Sequence, residues 1–101
     1  MELMDIKAHD GSRQFLAIPQ ALDWDRMRDH IAGLPGATVS DFLTDHVTEV
    51  WIDFSYRAHT FTVNNQFGEY WFFVSPADCP EEILRTVAHH CGLDMGRRGK
   101  A

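Results

Sequence analysis

A chain of 101 residues, 45% of them hydrophobic, is long enough for a single hydrophobic core without help from disulfides or metals. Residues 1–93 contain 14 acidic and 6 basic side chains, a net charge of −8, and such a body repels the phosphate backbones of nucleic acids. No apolar run approaches the roughly 20 residues that span a bilayer. We therefore expect that the protein neither binds nucleic acid nor associates with a membrane.

Composition also predicts how the chain is organised. Three of the nine Lys and Arg residues lie in the glycine-containing segment 94–101, which is typical of a flexible basic tail. We expect a single domain over residues 1–93 before it. The N-terminus lacks the basic segment followed by an apolar one that a secretory signal has. A cytoplasmic protein is the resulting expectation.

The first predicted element is a β-hairpin over residues 2–18. Its turn is assigned to Asp10-Gly11, a dipeptide that tolerates the positive φ values of tight hairpin turns. A two-residue turn there pairs Ile6 with Phe15 on one face of the hairpin. The tip is polar and is expected to be solvated.

A helix is predicted next, over residues 23–33, because Asp23 can accept hydrogen bonds from the free N–H groups of a first helical turn. Apolar residues recur at intervals of three and four and form one stripe: Trp24, Met27, Ile31 and Leu34. Pro35-Gly36 ends this helix. The segment 37–43 follows as a strand of irregular or edge character, since its apolar residues alternate poorly.

Residues 48–75 predict three adjacent antiparallel strands, because apolar residues alternate through three runs separated by turn-like breaks. A two-residue loop at 57–58 pairs Phe54 with Phe61, and a four-residue loop further on pairs Phe61 with Phe72. One face is then apolar throughout: Val50, Ile52, Phe54, Tyr56, Phe61, Val63, Tyr70, Phe72 and Val74. A slip of one residue would invert every side chain, so the faces are strongly specified.

The last predicted element is a helix over residues 80–91, with a proline and two glutamates at its start. Its apolar stripe is Ile83, Leu84, Val87, Ala88 and Cys91, and Gly92 is expected to end it in a left-handed conformation. Two amphipathic helices and an antiparallel sheet predict a two-layer α+β sandwich. Both helices, at about 23–33 and 80–91, are expected to pack on one face of the sheet.

Histidines and cysteines are the candidates for chemistry, since the chain has no phosphate-binding loop, no GxSxG and no HExxH. Cys79 and Cys91 lie at opposite ends of the last helix, about 18 Å apart. His89, His90 and Cys91 are consecutive and do not converge as ligands. We expect no cofactor and no metal. His59 is read as a hydrogen-bonded residue near a turn, the two other histidines as partners of helix-end carbonyls, Cys91 as a core residue and Cys79 as a cap.

The opposite face of the predicted strands mixes aromatic, hydroxyl and carboxylate side chains: Trp51, Asp53, Thr60, Thr62, Trp71 and Phe73. Aromatic residues are enriched where proteins meet partners, whereas cover by the N-terminal hairpin or by ordinary cross-strand packing is the structural alternative. The sequence therefore favours a non-catalytic interaction domain with a protein partner or a homodimer. An acidic inhibitor or immunity-type protein that covers a basic nuclease site is one version. The alternative is a small enzyme or metal-dependent protein that uses His59, His89, His90 and the cysteines.

Overall fold

The computed structural model describes residues 3–44 and 49–93. As predicted, the fold is mixed α+β, with a six-stranded antiparallel sheet and two α-helices in the order ββαββββα. The elements are β1 Ile6–Lys7, β2 Arg13–Pro19, α1 Trp24–Ala32, β3 Thr38–Thr44, β4 Val50–Tyr56, β5 His59–Gln66, β6 Glu69–Ser75, α2 Glu81–Ala88 and a π-helix His89–Leu93. The predicted tail 94–101 and Thr48 lie outside the described residues.

The sheet runs in the order β1-β2-β6-β5-β4-β3, so the N-terminal hairpin extends the sheet beside β6. The hairpin therefore lies in the plane of the sheet and does not form a separate layer over β4 to β6. No helix in the described part of the chain is long and apolar enough to cross a membrane.

Strands β4 and β5 pair in the predicted register, with Phe54 opposite Phe61. Arg57 and Ala58 form the two-residue turn between them, with φ values of 49° and 64°. Positive φ at both central residues matches the right-handed twist of the flanking strands.

Strands β5 and β6 pair differently from the prediction: Phe61 lies opposite Val74 rather than Phe72. The connecting turn contains only Phe67 and Gly68, at φ values of 51° and 78°, instead of the four residues predicted. This displacement is two residues long, so each side chain keeps its face. The nine predicted apolar residues are all buried, none more than 4% exposed. We call their side of the sheet the inner face.

The N-terminal hairpin exists, but the predicted pairing of Ile6 with Phe15 is wrong, because Ile6 lies opposite Gln14. The loop has three residues rather than two. The Ala8 N–H donates to the Ser12 carbonyl oxygen at 2.9 Å, and the glycine between them has a φ of 88°. An odd change in loop length moves the register by one residue and reverses the predicted faces.

Strands β2 and β3 each contain a β-bulge that interrupts the alternation of side chains. In β2 the bulge allows consecutive Phe15 and Leu16 to be buried, at 0% and 4% exposure. In β3 it allows Val39 and Phe42 both to pack against the core, although the alternation assigned them to opposite faces. The irregular pattern of segment 37–43 is thus the signature of a bulged edge strand.

Helix α1 begins as predicted, because the Asp23 carboxylate accepts from the Arg26 N–H at 3.0 Å. The predicted stripe of α2 is buried in full: Ile83, Leu84, Val87, Ala88 and Cys91. The left-handed end predicted at Gly92 is wrong, since the chain continues through Gly92 as a π-helix. Buried residues of both helices and of the inner face form one hydrophobic cluster.

Candidate interaction surface

The strand pairings bring the six predicted surface residues to one side of the sheet. Trp51 lies opposite Asn64, which lies opposite Trp71, and Thr62 is flanked by Asp53 and Phe73. Directly paired residues point to the same side, and these positions alternate with the buried inner ones. We call this side the outer face, formed by Leu43, Trp51, Asp53, Thr60, Thr62, Asn64, Trp71 and Phe73.

Among the described residues, four large hydrophobic side chains are exposed, and all four lie at one surface. They are Ile6 at 50%, Leu43 at 55%, Trp51 at 44% and Phe67 at 91%. Leu43 pairs with Trp51, and Ile6 pairs with Gln14, which itself lies opposite Phe73. Phe67 occupies the turn at the end of β5. All four therefore lie on the outer face, its continuation in β1, or its rim.

Phe67 is an unusual residue for its position. It has a φ of 51°, where Asn or Gly is favoured, and its ring is nearly fully exposed. The ring centre lies 6.1 Å from that of Trp71, so the two form a continuous aromatic rim. Trp71 is half-buried, and its Nε1–H donates to the Glu69 carboxylate at 3.1 Å.

The outer face carries negative charge only. Asp41, Asp53 and Glu69 occupy outward strand positions, whereas no lysine or arginine does so in the six described strands. At the hairpin tip, the Ser12 hydroxyl and backbone N–H donate to the Asp10 carboxylate at 2.6 and 3.0 Å. These bonds hold the pKa of Asp10 below its usual range, so this carboxylate is ionised at neutral pH.

An open groove of about 210 Å³ crosses the outer face between the hairpin tip and Trp51. Its lining includes Asp10, Ser12, Trp51, Thr62, Asn64 and Phe73. We call it the Trp51 groove. Here the aromatic and hydroxyl residues Trp51, Phe73, Thr60 and Thr62 of the predicted surface meet the Asp10 carboxylate of the hairpin tip.

Asn64 lines this groove but was not among the six residues predicted for the surface. It is 5% exposed, and its Oδ1 is buried without a hydrogen-bond partner, alone among the buried side-chain nitrogen and oxygen atoms of the described residues. An unpaired buried polar group costs about 1–3 kcal/mol, so native proteins keep few of them. The alternation along β5 places Asn64 on the outer face, but the predicted register puts it opposite Glu69, whereas the structure places it opposite Trp71.

The predicted chemical residues are not gathered into one site. The ring of His59 is hydrogen-bonded near its turn, as predicted, through Nδ1 and the Arg57 carbonyl oxygen at 2.8 Å. Cys91 is buried, as predicted for a core residue. Within residues 3–44 and 49–93, no three His, Cys, Asp or Glu side chains are close enough to hold a metal ion.

His90 differs from its predicted role at the end of its own helix. Its Nε2 is hydrogen-bonded to the carbonyl oxygen of His30 in α1 at 2.7 Å, and Nε2 of His30 to the carbonyl oxygen of His90 at 2.8 Å. The two rings stack with centres 4.4 Å apart. This reciprocal pair ties α1 to the π-helix, while His89 is exposed and takes no part in it.

Both cysteines are expected to resist alkylation in the native protein. The cap predicted for Cys79 is wrong, because Pro80 is the N-cap of α2 and Cys79 is 4% exposed. Burial, and after it the Asp78 carboxylate, raises the pKa of the Cys79 thiol, and the thiolate is the reactive form. Iodoacetamide at neutral pH should label Cys79 and Cys91 rapidly only after unfolding in urea. Fast labelling of Cys79 in the folded protein would contradict this expectation.

A related protein with a known binding site would test independently whether the outer face is a binding surface. No protein-family model, no curated protein and no solved structure matches this chain.

Proposed function

We propose that this protein is a non-catalytic interaction domain whose outer face binds a basic surface of another protein. The observation that carries the proposal is the confinement of exposed large hydrophobic side chains, in the described chain, to the outer face, its continuation and its rim. Contiguous apolar exposure is typical of interaction surfaces. In this proposal both helices cover the inner face as one layer, and the outer face is free.

Charge identifies the kind of partner. In the six described strands the outward positions carry carboxylates and no lysine or arginine, so a basic surface would be attracted and steered to this face. Two copies of the face would repel each other, which makes a homodimer through it the weaker candidate. An inhibitor or immunity-type role against a basic enzyme is a version of the same proposal.

Two further features belong to the proposal. A reducing compartment such as the cytoplasm is supported by two buried cysteines that are not joined by a disulfide. The alternative of a small enzyme or metal-dependent protein has less support. Its five residues are divided among the start of β5, the segment before α2 and the π-helix. In the described part of the chain, no three His, Cys, Asp or Glu side chains are close enough to hold a metal ion.

Replacing Trp51 with alanine is expected to weaken partner binding at least tenfold, a loss of about 1.4 kcal/mol or more, because exposed aromatic residues dominate interface energies. The wild type and the variant are immobilised, the partner is captured from native cell extract and identified, and its affinity is then measured by calorimetry. Glu82→Ala, on the exposed surface of α2, is the matched control and should bind like the wild type.

Three results would contradict the proposal: an acidic partner, equal affinity of the wild type and Trp51→Ala, or equal losses in Trp51→Ala and Glu82→Ala. Sedimentation of the wild type at high concentration tests the homodimer. A dimer that Trp51→Ala dissociates would assign the outer face to self-association instead.

A further inference from the structure

We infer that the Trp51 groove is an anchor site for one arginine side chain of the basic partner, with Asn64 as a hydrogen-bond acceptor for the guanidinium group. The inference rests on the proposed function and makes it more specific. It starts from Asn64, whose buried Oδ1 has no partner in the described protein.

The volume of the groove limits what it can hold. Sites for drug-sized ligands usually measure about 300–1,000 Å³, whereas this groove measures about 210 Å³. A single long side chain fits this volume better than a cofactor or a folded segment. An extended side chain from a docked partner would enter along the open side, between the hairpin tip and Trp51.

The polar groups of the groove select a donor-rich, cationic side chain. Asp10 lines the groove at the hairpin tip with an ionised carboxylate. Thr62, which also lines it, donates its hydroxyl hydrogen to the Asp53 carboxylate at 2.8 Å. Among the residues that the structure describes, no lysine or arginine lines the groove. Anions are therefore repelled, and an acceptor-only group would leave the oxygen of Asn64 unpaired.

The aromatic groups favour arginine over lysine. Trp51 and Phe73 both line the groove, and a guanidinium group is planar, stacks on aromatic rings and is more weakly hydrated than an ammonium group. It also presents five N–H donors, enough to reach an amide oxygen and a carboxylate together. The oxygen of Asn64, which has no partner in the free protein, would then accept a hydrogen bond from the guanidinium group in the complex.

The test uses a defined probe, the capped tripeptide Ac-Ala-Arg-Ala-NH2, with its citrulline and lysine analogues as controls for charge and for planar shape. In two-dimensional NMR spectra the arginine peptide should shift the side-chain amide signal of Asn64 and the indole N–H signal of Trp51. The citrulline and lysine peptides should bind at least tenfold more weakly. Equal binding of the three peptides, or shifts that avoid Asn64, would overturn the anchor.

Asn64→Leu provides the second measurement. This variant should bind the arginine peptide at least tenfold more weakly, while its melting temperature stays equal to or above that of the wild type, because leucine removes an unpaired polar group. Gln66→Leu, a half-buried amide of the same strand outside the groove, is the matched control and should keep its affinity. A marked fall in the melting temperature of Asn64→Leu would show a structural role and overturn the inference.

The partner assay separates the two proposals. If Trp51→Ala loses the captured partner and Asn64→Leu retains it in full, the anchor fails and the proposed function stands. If neither substitution changes partner binding, both fail.

Discussion

Replacing Phe61 with alanine is expected to lower the free energy of unfolding by about 3–5 kcal/mol, the range for removing a fully buried phenylalanine. Phe61 has no exposed surface. Its ring stacks on Phe54 with centres 4.9 Å apart and meets the edge of Phe15 at 5.8 Å. Alanine would leave a cavity beside β5. The strands cannot shift to fill it, because the backbone hydrogen bonds of β5 fix the positions of β4 and β6.

Urea denaturation followed by tryptophan fluorescence measures this loss. Phe67→Ala is the matched control, since it removes the same atoms from a ring that is 91% exposed and should change stability by less than about 0.5 kcal/mol. A small domain has about 5–15 kcal/mol of stability in total, so Phe61→Ala approaches global unfolding. Similar losses in the two variants would contradict the inner-face assignment.

Replacing Arg13 with methionine is expected to cost about 2–3 kcal/mol, because hydrogen bonds to charged groups contribute about 1.5–3 kcal/mol and are not additive. The side chain of Arg13 is 9% exposed. It donates from Nε and Nη2 to the Met4 carbonyl oxygen at 2.9 and 2.7 Å, and from Nη1 to the Glu81 carboxylate at 2.8 Å. One guanidinium thus joins the N-terminal segment, β2 and the first turn of α2.

Methionine retains most of the buried aliphatic volume of arginine, so the loss reports the polar contacts. Arg26→Met is the control: its ion pair with Asp23 spans 3.9 Å at the surface, and such pairs contribute about 0–1 kcal/mol. Chemical denaturation of both variants gives the comparison. A loss for Arg13→Met no larger than that for Arg26→Met would show that the Arg13 contacts contribute nothing net.

The Arg13 contacts also bear on the proposed function. The hairpin that Arg13 anchors carries Asp10 and Ser12, which form one side of the Trp51 groove. Loosening the N-terminal segment would therefore alter the groove without touching its other lining residues. Arg13→Met is therefore expected to weaken binding of the arginine peptide in proportion to the loss of hairpin structure. Both changes are measured in the same NMR spectra.

The two faces of β4, β5 and β6 were predictable because they depend on parity alone. The sequence misplaced Phe61 opposite Phe72, yet the error of two residues left each side chain on its own side. Helix α1 was predictable for a similar reason, since the cap at Asp23 and an apolar repeat are local signals. The assignment of side chains to the two faces stays correct when the register error is an even number of residues.

Other features depended on contacts that no local pattern contains. The bulges of β2 and β3 insert one residue into each strand, and they allow Phe15 with Leu16, and Val39 with Phe42, to reach the core. A bulge is a property of two paired strands, because two residues of one strand lie opposite one residue of the other. It can therefore be seen only once the pairing is known.

The sequence by itself determined the alternation that separates an apolar inner face from an aromatic and acidic outer face. Only the tertiary structure decided what surrounds each polar group. It paired His30 with His90 across 60 residues and left Oδ1 of Asn64 without a partner between two tryptophans. Hydrogen-bond satisfaction is a property of all neighbours in space, so it is defined only once the strands and helices have packed.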